Sequence, residues 1–140
     1  LEYKMGAFQN KQEYYFENGG IKAVLPYVEG VLDGFCKQYF ESGSLQRTIE
    51  IQNGKKNGEE VIYSEDEKIL DFGSYLEDIP IGIHKKFDNG YLIEEIDYSS
   101  KTPYYKQFDE KGVLIFESFN QNEQKVIRKL IDGKWTETIQ

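Results

Sequence analysis

Apolar and polar residues alternate along most of this chain with a period of two. In LQRTIEI, Leu45, Ile49 and Ile51 fall on one face, and Gln46, Thr48 and Glu50 on the other. Ile21, Ala23, Leu25 and Tyr27 share a face in the same way, as do Leu92, Ile96 and Tyr98. This alternation marks strands with one buried face. A helix needs apolar spacings of three and four, which these segments lack. Asn-Gly, Asp-Gly and Ser-Gly pairs separate the runs. Glycine takes positive φ without steric cost, so such pairs read as hairpin turns.

The pattern repeats. Gly34, Gly58 and Gly82 are spaced by 24 residues, and an aromatic follows each by five: Tyr39, Tyr63 and Phe87. Tyr15 lies 24 residues before Tyr39. The turn words are FENG (16–19), FESG (40–43), FDNG (87–90) and FDEKG (108–112). Two residues past each turn stands an aliphatic: Ile21, Leu45, Ile69, Leu92 and Leu114. Each unit therefore reads as aromatic, turn, strand, turn, strand. The units fall at about 10–33, 34–57, 58–81, 82–102 and 103–120, with a C-terminal cap over 121–140. Unit three carries Glu67 in place of its first turn glycine. The chain's end reads as a last hairpin turning at Asp132-Gly133, with a short helix over 122–131 as the rival. In a single-layer array, contacts between neighbouring units carry the stability. A stacked column of Tyr15, Tyr39, Tyr63, Phe87 and Phe108 is the expected source.

The segment Tyr27 to Gly34 has the form Y-x-x-G-x-x-x-G. It recurs as Ile51 to Gly58 and, degraded, as Tyr75 to Gly82. Together with the intervening F-E-x-G-x-L, this resembles the bacterial variant of the MORN repeat over roughly residues 12–120. The resemblance implies an all-β fold, with tandem antiparallel hairpins of about 24 residues building one elongated, twisted, curved sheet. It also implies a scaffold or binding module, and some bacterial relatives look like antitoxins or immunity proteins. Similar repeats stand beside plant phosphatidylinositol phosphate kinases. This chain resembles only the repeat and has no Gly-rich nucleotide loop.

Charge narrows the partners. The net charge is -8. Residues 59–78 hold eight acids and one base, so nearly all the excess lies there. Nucleic acid needs a basic surface and is excluded as a partner. An anionic lipid surface is disfavoured at that segment. The acids either solvate an edge-rich sheet or recognise a basic protein partner with salt-sensitive kinetics. No run of 18 apolar residues exists, so no helix is expected to span a membrane. The compartment stays open. The start at Leu1 favours export, with a signal segment absent from the sequence, over a cytoplasmic place. Open sheet ends leave room for end-to-end homodimers.

Residues suited to catalysis or metal binding are few. Cys36 is the single cysteine, which leaves no internal disulfide and no multi-cysteine zinc site. It reads as a small buried hydrophobe. His84, the one histidine, precedes the repeat aromatic and reads as a surface side chain. No activated serine motif accompanies it. SEDEK (64–68) offers consecutive acids but lacks the ligand alternation of a calcium loop. No cofactor and no metal is expected. Tyrosine gives large contact area at low entropy cost. The expected partner-binding set is therefore Tyr27, Tyr63, Tyr75 and Tyr98, with the acids Glu59, Glu65, Asp66 and Glu67. The leading expectation is a non-enzymatic scaffold for protein–protein interaction. Behind it stand an antitoxin or immunity protein neutralising a basic effector, and peripheral membrane or phosphoinositide binding. A carboxylate-based hydrolase ranks last.

Overall fold

The computed structural model describes residues 9–140. Every regular element among them is a strand. In chain order these are β1 (Gln9–Tyr15), β2 (Ile21–Val28), β3 (Val31–Leu32), β4 (Gly34–Tyr39), β5 (Leu45–Gln52), β6 (Lys55–Tyr63) and β7 (Ile69–Leu76). There follow β8 (Ile79–Asp88), β9 (Tyr91–Asp97), β10 (Tyr104–Phe108), β11 (Leu114–Gln121), β12 (Gln124–Ile131) and β13 (Lys134–Ile139). All pairings are antiparallel, and the strands lie side by side in chain order, with the short β3 beside β2. The result is one curved, unclosed sheet of consecutive hairpins.

Two turn types build the hairpins, apart from β9–β10, which a longer link over 98–103 joins. At Phe16, Phe40, Ser64 and Asp109 the N–H donates to a carbonyl four residues on, at 2.7–2.9 Å. The residue three on carries positive φ: Gly19, Gly43, Glu67 and Gly112. Glu67 thus adopts φ 66° without being glycine. The other type is the two-residue loop with both φ positive, whose twist matches that of the flanking strands. It occurs at Glu29-Gly30, Asn53-Gly54, Glu77-Asp78, Asn89-Gly90, Asn122-Glu123 and Asp132-Gly133. The last hairpin therefore turns at Asp132-Gly133. The rival helix over 122–131 is replaced by a turn and β12.

The repeat aromatic has a definite structural job. The register slips by one residue beside each of Tyr15, Tyr39, Tyr63, Phe87 and Phe108. Across the slip they face Ile21, Leu45, Ile69, Leu92 and Leu114. Such bulges bend the strand and raise its twist. The expected ring-on-ring column gives way to aromatic–aliphatic pairs. The reason is spacing: one unit spans two strands, so equivalent rings sit about 10 Å apart with a strand between them. The close ring pairs are instead Tyr75–His84, His84–Tyr98, Tyr104–Phe119 and Tyr105–Phe116.

Neighbouring units are also tied turn to turn. The Asp33 carboxylate accepts the Asn53 N–H at 3.0 Å, and 24 residues later the Asn57 side-chain oxygen accepts the Glu77 N–H at 3.4 Å. On the opposite edge, the Asn18 amide donates to the Glu41 carbonyl at 3.3 Å and the Ser44 hydroxyl to the Glu65 carbonyl at 3.2 Å.

Residues paired across antiparallel strands share a face, so the register sorts the side chains. On one face, called here the cleft face, Cys36, Ile49, Glu60 and Gly73 form one row, and all four are buried. On the other, the ladder face, the row runs Val24, Lys37, Thr48, Val61, Phe72, then Lys85, Glu95, Lys106, Glu117, Arg128, Glu137. Ala23, Val24, Cys36, Ile49, Val61 and Val126 make up the buried apolar set. No second layer covers either face among the described residues. Burial comes from neighbours in the same sheet, and no large side chain falls below 2 % exposure.

Candidate functional site

The sheet's alternation splits the acidic stretch 59–78 instead of presenting it as one surface. Glu59 points to the ladder face and is exposed; Glu60 lies buried on the cleft face. Glu65, Asp66 and Glu67 form the exposed β6–β7 turn. There the Asp66 carboxylate accepts from Ser64 and pairs with Lys68 at 3.2 Å, which holds its pKa below the usual carboxylate range. The Asp66 carboxylate is thus occupied within the turn. Glu77 and Asp78 form the next turn. There Asp78 exchanges backbone contacts with Lys56 and accepts its N–H at 2.8 Å.

Of the expected binding residues, the fold brings Tyr75 and Tyr98 together. Both flank His84 edge to face, with ring centroids at 5.1 and 4.8 Å. Tyr27 stands apart, beside Pro26, Lys11 and Asp33. Tyr63 sits at the bulge opposite Ile69. His84 is half-buried, contrary to the surface position expected for it. Its Nε2 lies 2.8 Å from the Ser74 carbonyl. A carbonyl only accepts, so Nε2 carries the proton. The ring packs over Gly73, which is buried and where any side chain would collide with the imidazole. Gly73 occupies the repeat position held by Ile49 one unit earlier. His84 occupies the position held by Glu60 and, before it, by Cys36. Aligning the units at 24 residues is the signal that could have exposed this trio.

Around His84 lies an open cleft of ≈ 230 Å³ whose walls include Asp71, Lys86, Glu94 and Ile96 as well as both tyrosines. The strands explain the grouping. Asp71, Lys86 and Glu94 are direct cross-strand partners on β7, β8 and β9. Lys86 Nζ lies 3.5 Å from Glu94, which also accepts the Tyr105 hydroxyl at 2.8 Å. Burial raises the Asp71 pKa; Lys86 opposes this, while Glu60 and Glu94 add to it. Next to the cleft, Glu60 accepts from Arg47 Nε at 2.7 Å and from Lys56 Nζ at 3.1 Å. Burial pushes the Glu60 pKa up, but these two cations outweigh it and the net shift is down. Lys56 also sits 4.5 Å from the Tyr75 ring centre. The Tyr75 phenol is raised by burial and by the nearby Glu60 and Asp71 charges. Among the described residues, no group of three His, Cys, Asp or Glu side chains is placed to hold a metal ion.

The ladder face carries a different feature. Leu76, Ile79, Ile81 and Ile83 are 56, 65, 40 and 45 % exposed. Leu76 pairs with Ile79, Ile81 with Ser74, and Ile83 with Asp97, so the four are contiguous on one face. One unit earlier, Lys55, Asn57 and Glu59 hold the positions of Ile79, Ile81 and Ile83. The fold therefore accepts polar residues there. The packing there does not require isoleucine, and the patch is a candidate that the alternation alone did not reveal. Glu59 is paired with Ser74, beside Ile81, and Asp97 faces Ile83, so acids border the patch on the same face. No family model matches the chain, and no curated protein matches it significantly in sequence.

Proposed function

We propose that this chain is a non-enzymatic repeat scaffold that binds a protein partner through the aliphatic patch of β7 and β8. The observation that carries the reading is the run of exposed isoleucines at positions where the preceding unit is polar. Exposed contiguous apolar surface is costly in water and marks docking sites. The bordering Glu59 and Asp97 favour a partner with an apolar centre and a basic rim, since charge complementarity steers such encounters. A basic effector neutralised by this chain fits the same chemistry, as an antitoxin or immunity protein would. Kinship with the variant MORN repeat belongs to this proposal; tandem hairpins and the 24-residue interval support it.

Affinity capture from a native lysate tests the reading when run beside the double variant Ile79→Lys, Ile81→Asn. These substitutions copy Lys55 and Asn57 of the preceding unit, so the fold tolerates them. The expected outcome is a partner that the wild-type chain retains, that the variant loses, and whose binding weakens as salt rises. A partner held equally by the variant, or none captured at all, contradicts the proposal.

A further inference from the structure

The cleft around His84 lies on the face opposite the aliphatic patch, so what it binds is a separate matter. Its charges do not close among themselves. The row Asp71, Lys86, Glu94 sets two acids against one base. Lys86 leans to Glu94. Asp71 forms no ion pair and accepts no hydrogen bond among the described residues. The other nearby acid, Glu60, already holds both Arg47 and Lys56. One half-buried carboxylate therefore lines a cleft of ≈ 230 Å³ with no ion pair of its own, Lys86 acting on it only as a nearby charge. The Tyr98 ring and Ile96 line the same cleft, one an aromatic wall and the other an apolar one. A carboxylate, an aromatic ring and an apolar wall match the three parts of a long basic side chain: its charge, its cation–π preference and its methylenes.

We propose that this cleft is a socket for a basic side chain, an arginine or lysine presented by an extended peptide, with Asp71 as its counter-ion and Tyr98 as its aromatic wall. Lys86 acts as the internal competitor: it is the cation paired directly across the strand from Asp71. Gly73 is a positioning residue, because it leaves the space in which His84 lies flat between the two tyrosines.

The test is a titration of the full chain followed by NMR, with acetyl-Gly-Arg-Gly-amide as the probe. The citrulline analogue, equal in shape and neutral, is the control. The expected result is saturable shifts confined to Asp71, His84 and Tyr98 with a dissociation constant of about 1 mM, and none with citrulline. Asp71→Asn should weaken binding about tenfold, by loss of the charged partner. Lys86→Gln should strengthen it about threefold, by removing the competitor. The two variants pull in opposite directions, so a general loss of structure cannot imitate both. Equal response to arginine and citrulline, or no response in either the wild type or Lys86→Gln, overturns the socket. The aliphatic-patch variant leaves this titration unchanged, so failure of one proposal is separable from failure of the other.

Discussion

The ladder-face row runs from β2 to β13, and its two halves differ in chemistry. From β2 to β7 it reads Val24, Lys37, Thr48, Val61, Phe72, and three of these five are buried. From β8 to β13 it reads Lys85, Glu95, Lys106, Glu117, Arg128, Glu137, alternating in sign at every strand. Lys106 lies 3.5 Å from Glu95, and Arg128 reaches Glu117 at 3.2 Å and Glu137 at 2.7 Å. Opposite charges placed directly across strands stabilise a pair, and like charges oppose it. A slip of one strand by two residues keeps the same face but breaks this alternation. The ladder thus fixes register where the repeat motif fades. The apolar half needs its motif because burial depends on bulge and turn recurring in phase. The charged half tolerates the two-residue turn at Asn89-Gly90 and the longer link over 98–103.

Substitutions in the row sharpen this contrast. The largest effect is expected at Val61→Asp, which places an unpaired carboxylate among buried neighbours and should cost at least about 3 kcal/mol in urea unfolding. Lys106→Met, the matching change in the ladder, should fall within about 1 kcal/mol, because partly exposed pairs contribute little. Equal costs at the two sites would break the comparison.

A second contrast is in pH. The Tyr104 phenol is pushed up to about 12 by burial and by its hydrogen bond to Glu117. A pKa raised on folding gives stability that is complete below the unfolded value of 10.0 and lost as pH climbs toward 12. Alkaline unfolding should therefore begin in the β10–β13 half. Tyr104→Phe should remove the last phenol to titrate by ultraviolet absorbance. A wild-type titration with no such late phenol would contradict the assignment.

The smallest expected effect concerns a turn. Glu67 holds φ 66° where Gly19, Gly43 and Gly112 stand in the other turns of this kind. Glu67→Gly should stabilise the chain by about 0.5–1 kcal/mol, by relieving a left-handed residue that bears a side chain. A loss of stability on thermal unfolding would show that the Glu67 side chain matters in its own right.

Much of the fold was legible in the sequence, for local reasons. Glycine at fixed intervals marks positive φ, and the aromatic and aliphatic partners of each bulge sit at fixed distances from it, as with Tyr39 and Leu45. The Asn122-Glu123 turn was not legible, because neither residue is glycine although both take positive φ. That gap let a helix compete on paper with β12. The charge ladder was hidden for another reason. Its partners lie 9–11 residues apart, and the spacing of 11 shared by Glu95, Lys106, Glu117 and Arg128 is out of step with the 24-residue interval of the units. The cleft was half legible. Tyr75 and Tyr98 were singled out by their place in the repeat. Asp71 and His84 acquire meaning only through Gly73, whose missing side chain makes the room. Exposure at Ile79 and Ile81 inverts the usual reading, since alternation alone cannot tell a buried face from a docking face.

Apolar burial dominates β4–β6, while alternating charge sets the register of β10–β13. Backbone hydrogen exchange at low and high sodium chloride tests this division most directly. Screening of the ladder should cut protection in β10–β13 about fivefold, while β4–β6 stays unchanged or gains slightly. A uniform response along the chain, or a loss concentrated in β4–β6, would contradict the account.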